Sequence, residues 1–315
     1  MGIHRVKLYL TLITALLITC ITASCAGRQD SGTVTDDKKI RAAVIDTGFS
    51  EKAIPSGNIA GGKNYVEGSM GTDDTYGHGT AVASIILENA PDTELVALVS
   101  SVYEHGRLKQ VDADTFAGII IDAVDVYGCD VINISAGFAA DVESVRLAVE
   151  YAAQKGVVVV ASAGNDYVEN PDVKYYPAAY DDVIAVGSMN ESRTAISDFS
   201  QRGEWVDVYE CGENITVRTL SGDSREVSGT SYAAAGVTSK VCRILEENSG
   251  LTVDKVLEII DFREISEKVF IIGLLYKEVI VWDFLITLER LYRMQDRLLR
   301  RRARTLLIQR SSIRQ

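Results

Sequence analysis

Three short segments of this 315-residue chain set an acid, a base and a hydroxyl beside glycine. Val44-Ile45-Asp46-Thr47-Gly48 is an apolar run that ends in a carboxylate and a turn glycine. Tyr76-Gly77-His78-Gly79-Thr80 holds an imidazole between two glycines. Gly229-Thr230-Ser231-Tyr232-Ala233-Ala234-Ala235 puts a serine at the head of a run of small, helix-forming residues. A carboxylate can fix the tautomer of an imidazole, the imidazole can take a hydroxyl proton, and the hydroxyl then attacks a carbonyl. Each segment alone is common in loops; the three in the order Asp, His, Ser point to acyl transfer.

Other residues could fill these roles, and the sequence weighs them differently. Ser221 and Ser228 lie near Ser231, but neither opens a helix. Of the three histidines, His4 falls in a basic start and His105 in a polar stretch with Glu104, Arg107 and Lys109 that reads as a surface loop. The alternative for Asp46 is a carboxylate that only closes a turn at a strand end.

The elements that must position these groups follow from periodicity. Short β-branched runs alternate with helix-like segments from Lys39 onward, the pattern of a parallel sheet covered on both faces. Strands are expected at Ile40 to Ile45, Glu94 to Val99, Val131 to Ile134, Val157 to Ser162 and Val183 to Val186. Helices are expected at His78 to Leu87, Ala113 to Tyr127, Val142 to Gln154 and Ser231 to Glu247. The expected fold class is α/β, three-layer α/β/α with a mostly parallel central sheet. Ligands of such folds collect at the C-terminal ends of the strands, where Asp46, Ser135 and Asn165 would lie.

The chain resembles the subtilisin-like serine peptidases. The order of the three segments is that family's, and the likeness continues between them: Asp130-Val131-Ile132-Asn133-Ile134-Ser135-Ala136-Gly137, Val157 to Asn165 (VVVVASAGN), Tyr176-Pro177, Asp182 to Gly187 and Asp198-Phe199-Ser200 all follow its pattern. It runs from about Lys39 to about Asp261 and implies a serine endopeptidase with Asp46, His78 and Ser231 as triad. By the same resemblance Asn165 would donate from its side chain to the carbonyl oxygen, with the Ser231 N–H as second donor; the plain alternative for Asn165 is a loop residue tolerating a left-handed backbone. A peptide substrate would lie extended along Ser135, Ala136 and Gly137, whose small side chains let another strand approach, with Ala161, Ser162, Ala163 and Gly164 as the opposite wall. Tyr175 falls at the floor of the family's primary pocket, or faces outward. The proline common after the family's alanines is absent, since Ala235-Gly236-Val237 follows. This departure touches packing at the helix start rather than chemistry.

No cofactor is required by this chemistry. Structural calcium is frequent among such enzymes, but the sequence does not place it: no metal ligand is assigned, and acidic pairs such as Asp73-Asp74 and Asp181-Asp182 read as solvated loops. The remaining thiols, Cys129, Cys211 and Cys242, match neither a zinc site nor a disulfide framework, and Cys242 reads as a buried apolar group within a helix.

Charge and termini bear on location. The formal charge is −12, yet residues 285–315 carry nine arginines against Glu289 and Asp296, so the body is strongly acidic and gives no reason to expect nucleic acid as a partner. Residues 1–24 read as an export signal: His4, Arg5 and Lys7 precede an apolar run from Leu8 to Ile21 that is short for a membrane span. Thr22-Ala23-Ser24-Cys25 resembles the bacterial lipoprotein cleavage site, which makes Cys25 the lipidation candidate and a membrane surface the expected location; plain secretion after cleavage between Ala23 and Ala26 is the alternative. Residues 25–38 read as a polar tether, too short to fold into the inhibitory pro-region that many relatives carry there. The peptidase domain is expected over 39–262. In the extension 263–315, the apolar stretch Val269 to Trp282 is broken by Lys277 and Glu278, and the arginine-rich end would lie on anionic lipid, dock on the acidic body or form an extension without a catalytic role. Two other readings stand beside a general endopeptidase: a processing protease dedicated to one exported partner, and an inactive relative that binds peptides in the same cleft.

Overall fold

A computed structural model describes residues 39–248 and 251–260. The export segment 1–24 with Cys25, the tether 25–38 and the extension 263–315 lie outside the described residues.

Seven strands form the central sheet: β1 Arg41–Asp46, β2 Ile59–Asn64, β3 Glu94–Val99, β6 Val131–Ile134, β7 Val158–Ser162, β8 Val183–Met189 and β9 Val208–Cys211. Their spatial order is β2-β3-β1-β6-β7-β8-β9, and every neighbouring pair is parallel. Two antiparallel hairpins lie apart from it, β4 Ser101–Glu104 with β5 Arg107–Gln110, and β10 Ile215–Arg218 with β11 Ser224–Val227. The helices are α1 His78–Asn89, α2 Ala113–Asp125, α3 Glu143–Gln154 and α4 Thr230–Glu247, and residues 253–260 are also helical.

Alternation of side chains along each strand divides the core in two. Ala42, Val44, Leu95, Ala97, Val131, Val158, Val160 and Ile184 face α1 and α4. Ala43, Ile45, Val96, Leu98, Ile132, Ile134, Val159 and Ala161 face α2 and α3. Because both faces are covered, the inner strands are almost wholly apolar, and that is the feature of the sequence that betrays them. The three-layer α/β/α expectation holds, with a sheet that is entirely parallel.

Two readings of the sequence need correction. The stretch around His105 is a β-hairpin rather than an irregular loop. His105 and Gly106 form its two-residue turn with φ of 51° and 78°, a turn whose twist matches that of paired strands. Asp74 is not a solvated acid: it is 8% exposed, and its carboxylate accepts four hydrogen bonds, from the N–H groups of Tyr76, Gly77 and Thr80 and from the Thr80 hydroxyl, at 2.7–2.9 Å. The charge sits at the N-terminus of α1, where the helix dipole favours an anion, and it satisfies N–H groups that a helix start leaves without partners. Each buried donor left unsatisfied would cost about 1–3 kcal/mol. Asp74 therefore fixes the residues on either side of His78.

Candidate active site

Asp46 is the last residue of β1 and His78 the first of α1. They meet because α1 begins almost in contact with the turn that follows β1. A β-carbon on Gly79 would lie 2.4 Å from the Gly48 carbonyl oxygen, so only glycine fits there. The Gly79 N–H donates to the Thr47 hydroxyl at 2.9 Å, and the Thr47 N–H donates to Asp46 Oδ1 at 2.8 Å. The glycine after the histidine is thus a close-approach residue that lets the base sit over the acid.

His78 Nδ1 lies 2.8 Å from Asp46 Oδ1 and 2.9 Å from Oδ2. The Asp46 side chain is 4% exposed and that of His78 23%, so the carboxylate is buried while the imidazole keeps part of its surface open. Burial alone would push the imidazole pKa down. The Asp46 charge and hydrogen bond push it up and prevail, Asp74 adds in the same direction and Arg225 opposes, so His78 stands above the ordinary imidazole value. Tyr232 packs against the imidazole, ring centroids 5.6 Å apart, and brings α4 beside it.

Ser231 is in the first turn of α4 and is 7% exposed. Ser228 and Ser221 are otherwise engaged: Ser228 Oγ accepts from the Asn214 N–H at 3.1 Å, and the Ser221 hydroxyl donates to Asp223 at 2.7 Å. Asn165 follows β7 and is pinned to the same helix head. Its Oδ1 accepts from the Thr230 N–H at 2.8 Å and from the Thr230 hydroxyl at 2.9 Å, while the Gly164 N–H donates to that hydroxyl at 3.2 Å. With Oδ1 used as acceptor, the Asn165 amide is orientated so that Nδ2 is left to donate. Thr230 as the clamp between β7 and α4 was not foreseen from sequence, where it appeared only as a neighbour of the serine.

Ser135, Ala136 and Gly137 continue from the end of β6, with Ser135 and Ala136 half-buried and Gly137 exposed. Asn133, buried in β6, accepts from the Thr238 hydroxyl of α4 and donates to the Ser135 hydroxyl, so it ties this segment to the helix that carries Ser231. The facing segment is held differently. Ala161 and Ser162 belong to β7, the Ala163 N–H donates to Val186, and the Gly164 carbonyl accepts from Gln201. Among the described residues, the backbone groups of Ser135 to Gly137 make no hydrogen bond to another segment. Tyr175 stands between the two segments and does not face outward. Its Cβ is 3.6 Å from where a β-carbon of Gly137 would be, and its ring 2.6 Å from where one of Gly164 would be. Gly164 has a φ of 111°, so side chains are excluded there twice over. The Tyr175 hydroxyl donates to Asp166, which pushes the phenol up to about 12.

Cys129 and Cys242 are buried and Cys211 is half-buried, with no disulfide among the described residues. Burial pushes the Cys242 thiol up to about 12, which leaves it an inert core group. No group of three or more His, Cys, Asp or Glu among the described residues is arranged to hold a metal ion.

Fold and comparison together define a serine-type endopeptidase of the subtilisin-like class. The chain belongs to the subtilase family, whose model matches residues 37–264. It is similar to the major intracellular serine protease of Bacillus subtilis, at 34% identity over 66% of this chain and 68% of that one, and to subtilisin DY of Bacillus licheniformis, at 31% identity over 69% and 80%. Among solved structures it resembles a cold adapted subtilisin-like serine proteinase, with a TM-score of 0.61 and 28% identity over 73% of this chain and 84% of that one.

Proposed function

We propose that the chain hydrolyses peptide bonds by nucleophilic attack of Ser231. His78 removes the hydroxyl proton through Nε2 and returns it to the departing amine. Asp46 keeps the proton of the neutral ring on Nδ1 and stabilises the cation that forms. Negative charge on the carbonyl oxygen is met by Asn165 Nδ2 and the Ser231 N–H, which is one of the donors a helix start leaves unpaired. The substrate lies extended against Ser135, Ala136 and Gly137. No cofactor enters these steps; structural calcium, common in the family, would stand apart from them. The observation that carries this reading is His78 Nδ1 held by both oxygens of a buried Asp46, beside a helix that presents Ser231 in its first turn.

A fluorophosphonate probe tests the assignment, because it labels only an activated serine. Labelling of the purified chain, lost in Ser231→Ala and His78→Ala, is the expected outcome; a folded parent that takes no label would favour the inactive peptide-binding relative instead. The oxyanion donor has its own test. Asn165→Ala is expected to lower kcat by about a hundred- to a thousand-fold, the effect known for the corresponding donor of subtilisin. KM should change little, since the bond forms only in the transition state.

We further propose that the enzyme acts outside the cytoplasm, anchored through a lipidated Cys25. The basic start, the apolar run Leu8 to Ile21 and the Ala23-Ser24-Cys25 sequence support this. Incorporation of labelled palmitate into the parent and its loss in Cys25→Ser is the expected result, and equal incorporation in both would rule out the anchor at this residue.

A further inference from the structure

On the Gly77 side of His78 lies an open cavity of about 280 Å³, lined by Tyr76, Gly77, Thr219, Leu220, Ser221 and Arg225. It shares no residue with Ser135–Gly137 or Ala161–Gly164, the two segments assigned above to the peptide cleft, and it adjoins His78, which in the proposed reaction returns its proton to the departing amine. The loop that forms its far wall is anchored. The Ser50 hydroxyl donates to the Leu220 carbonyl at 2.7 Å, the Arg218 N–H donates to Ser84 of α1 at 3.0 Å, and the Thr219 N–H donates to Asp223 across the β10–β11 turn. Leu220 lies against Gly77, its Cγ 3.5 Å from where a β-carbon would be. The cavity is therefore preformed next to the base.

Arg225 is the only charged residue of its lining. It lies on β11, opposite Val217, and among the described residues no carboxylate forms an ion pair with it. The nearest acids in sequence are placed otherwise. Asp223 accepts from the Ser221 hydroxyl, and Glu226, the next residue of the strand, projects to the other face of the ribbon. The guanidinium is close enough to His78 and to Tyr232 to oppose protonation of the first and favour ionisation of the second. An uncommitted cation beside the base, in a body that is otherwise strongly acidic, is a local exception that suits an anionic ligand.

We infer that this cavity is a subsite for an acidic side chain of the peptide substrate, a glutamate or aspartate in the segment that leaves with the proton from His78, with its carboxylate held by Arg225. The inference rests on the peptidase reading above and adds a substrate class to it. A guanidinium matches a carboxylate in shape as well as charge. Because Arg225 is exposed, solvent screens the pair, and the preference for glutamate over glutamine is expected to be about two- to five-fold in kcat/KM at low salt and smaller at high salt.

Internally quenched peptides that carry Glu, Gln or Lys at the first or the second residue after the scissile bond, together with a chromogenic amide that has no residue there, test it on the purified chain. The ratio of Glu to Gln peptides within one enzyme cancels any general change in activity. The parent is expected to favour Glu at one of the two positions, Arg225→Gln to bring the ratio to about one, and Arg225→Glu to turn the preference to Lys, each a change of roughly two- to five-fold. A parent that cleaves the chromogenic amide but treats Glu and Gln alike at both positions, or an Arg225→Gln enzyme that keeps the preference, overturns the subsite while leaving the peptidase reading intact. A folded parent that neither cleaves the amide nor takes the fluorophosphonate label overturns both.

Discussion

Replacing Ser231 with alanine is expected to lower kcat by about a million-fold, with His78→Ala close behind, a magnitude carried over from the corresponding residues of subtilisin. The two substitutions together should cost hardly more than either alone, because a base without a nucleophile to deprotonate does nothing. The measurement is hydrolysis of a peptide amide by the parent, both single variants and the double variant, with thermal unfolding followed alongside. Ser231 is buried at the head of α4, but among the described residues its hydroxyl forms no hydrogen bond that holds the helix there; Thr230 does that through Asn165 and Gly164. The variant should therefore unfold near the parent's temperature. A residual rate above the uncatalysed one by about a thousand-fold would reflect the oxyanion donors and substrate alignment alone. A loss in Ser231→Ala of less than a hundred-fold, or additive losses in the double variant, would refute Ser231 as nucleophile. Ser221 and Ser228 would not then be ready substitutes, since Asp223 takes the hydroxyl hydrogen bond of one and the Asn214 N–H occupies the oxygen of the other.

What the sequence made legible, and what it did not, follows from where each element gets its partners. The inner strands β1, β3, β6, β7 and β8 carry their own signal, since covering on both faces demands a continuous apolar run; their expected limits differ from those found by three residues at most. β2 contains Gly61 and Gly62 and β9 reads Val-Tyr-Glu-Cys, and both stand at sheet edges, where the pattern is weak and a single neighbour decides the pairing. The hairpins β4–β5 and β10–β11 are polar ribbons whose exposure hides them among loops. Asp46, His78, Ser231 and Asn165 were legible because each carries a local mark, a strand end or a helix head beside glycine. Asp74 was misjudged because a pair of adjacent acids looks solvated until the chain folds back over it. Thr230 bridges to residues 65 and 66 positions away, and Arg225 lacks any pattern of its own. Their roles exist only in the folded arrangement.

Asp46→Asn is the second substitution expected to have a very large effect, a fall in kcat of about ten-thousand-fold, the size known for the same change in another serine protease. The amide would retain the shape of the carboxylate, but its Nδ2 can donate to His78 Nδ1. The ring would then carry its proton on Nε2, where it could no longer accept one from Ser231. The charge is lost as well, and this has a separate signature. His78 acts as a base only when neutral, so kcat/KM must fall as pH drops through the imidazole pKa of the free enzyme. In the parent that value is raised above 6.5 because Asp46, helped by Asp74, overcomes burial, and the acidic limb of the profile should lie above that point. Without the Asp46 charge, burial and Arg225 both disfavour the imidazolium, so the limb of the residual activity should move to lower pH. Profiles of kcat/KM for parent and variant, measured at one ionic strength, would separate the two contributions. A large rate loss with the limb unmoved would assign Asp46 to tautomer control alone; a limb that moves down together with the rate would show that its charge also sets the basicity of His78.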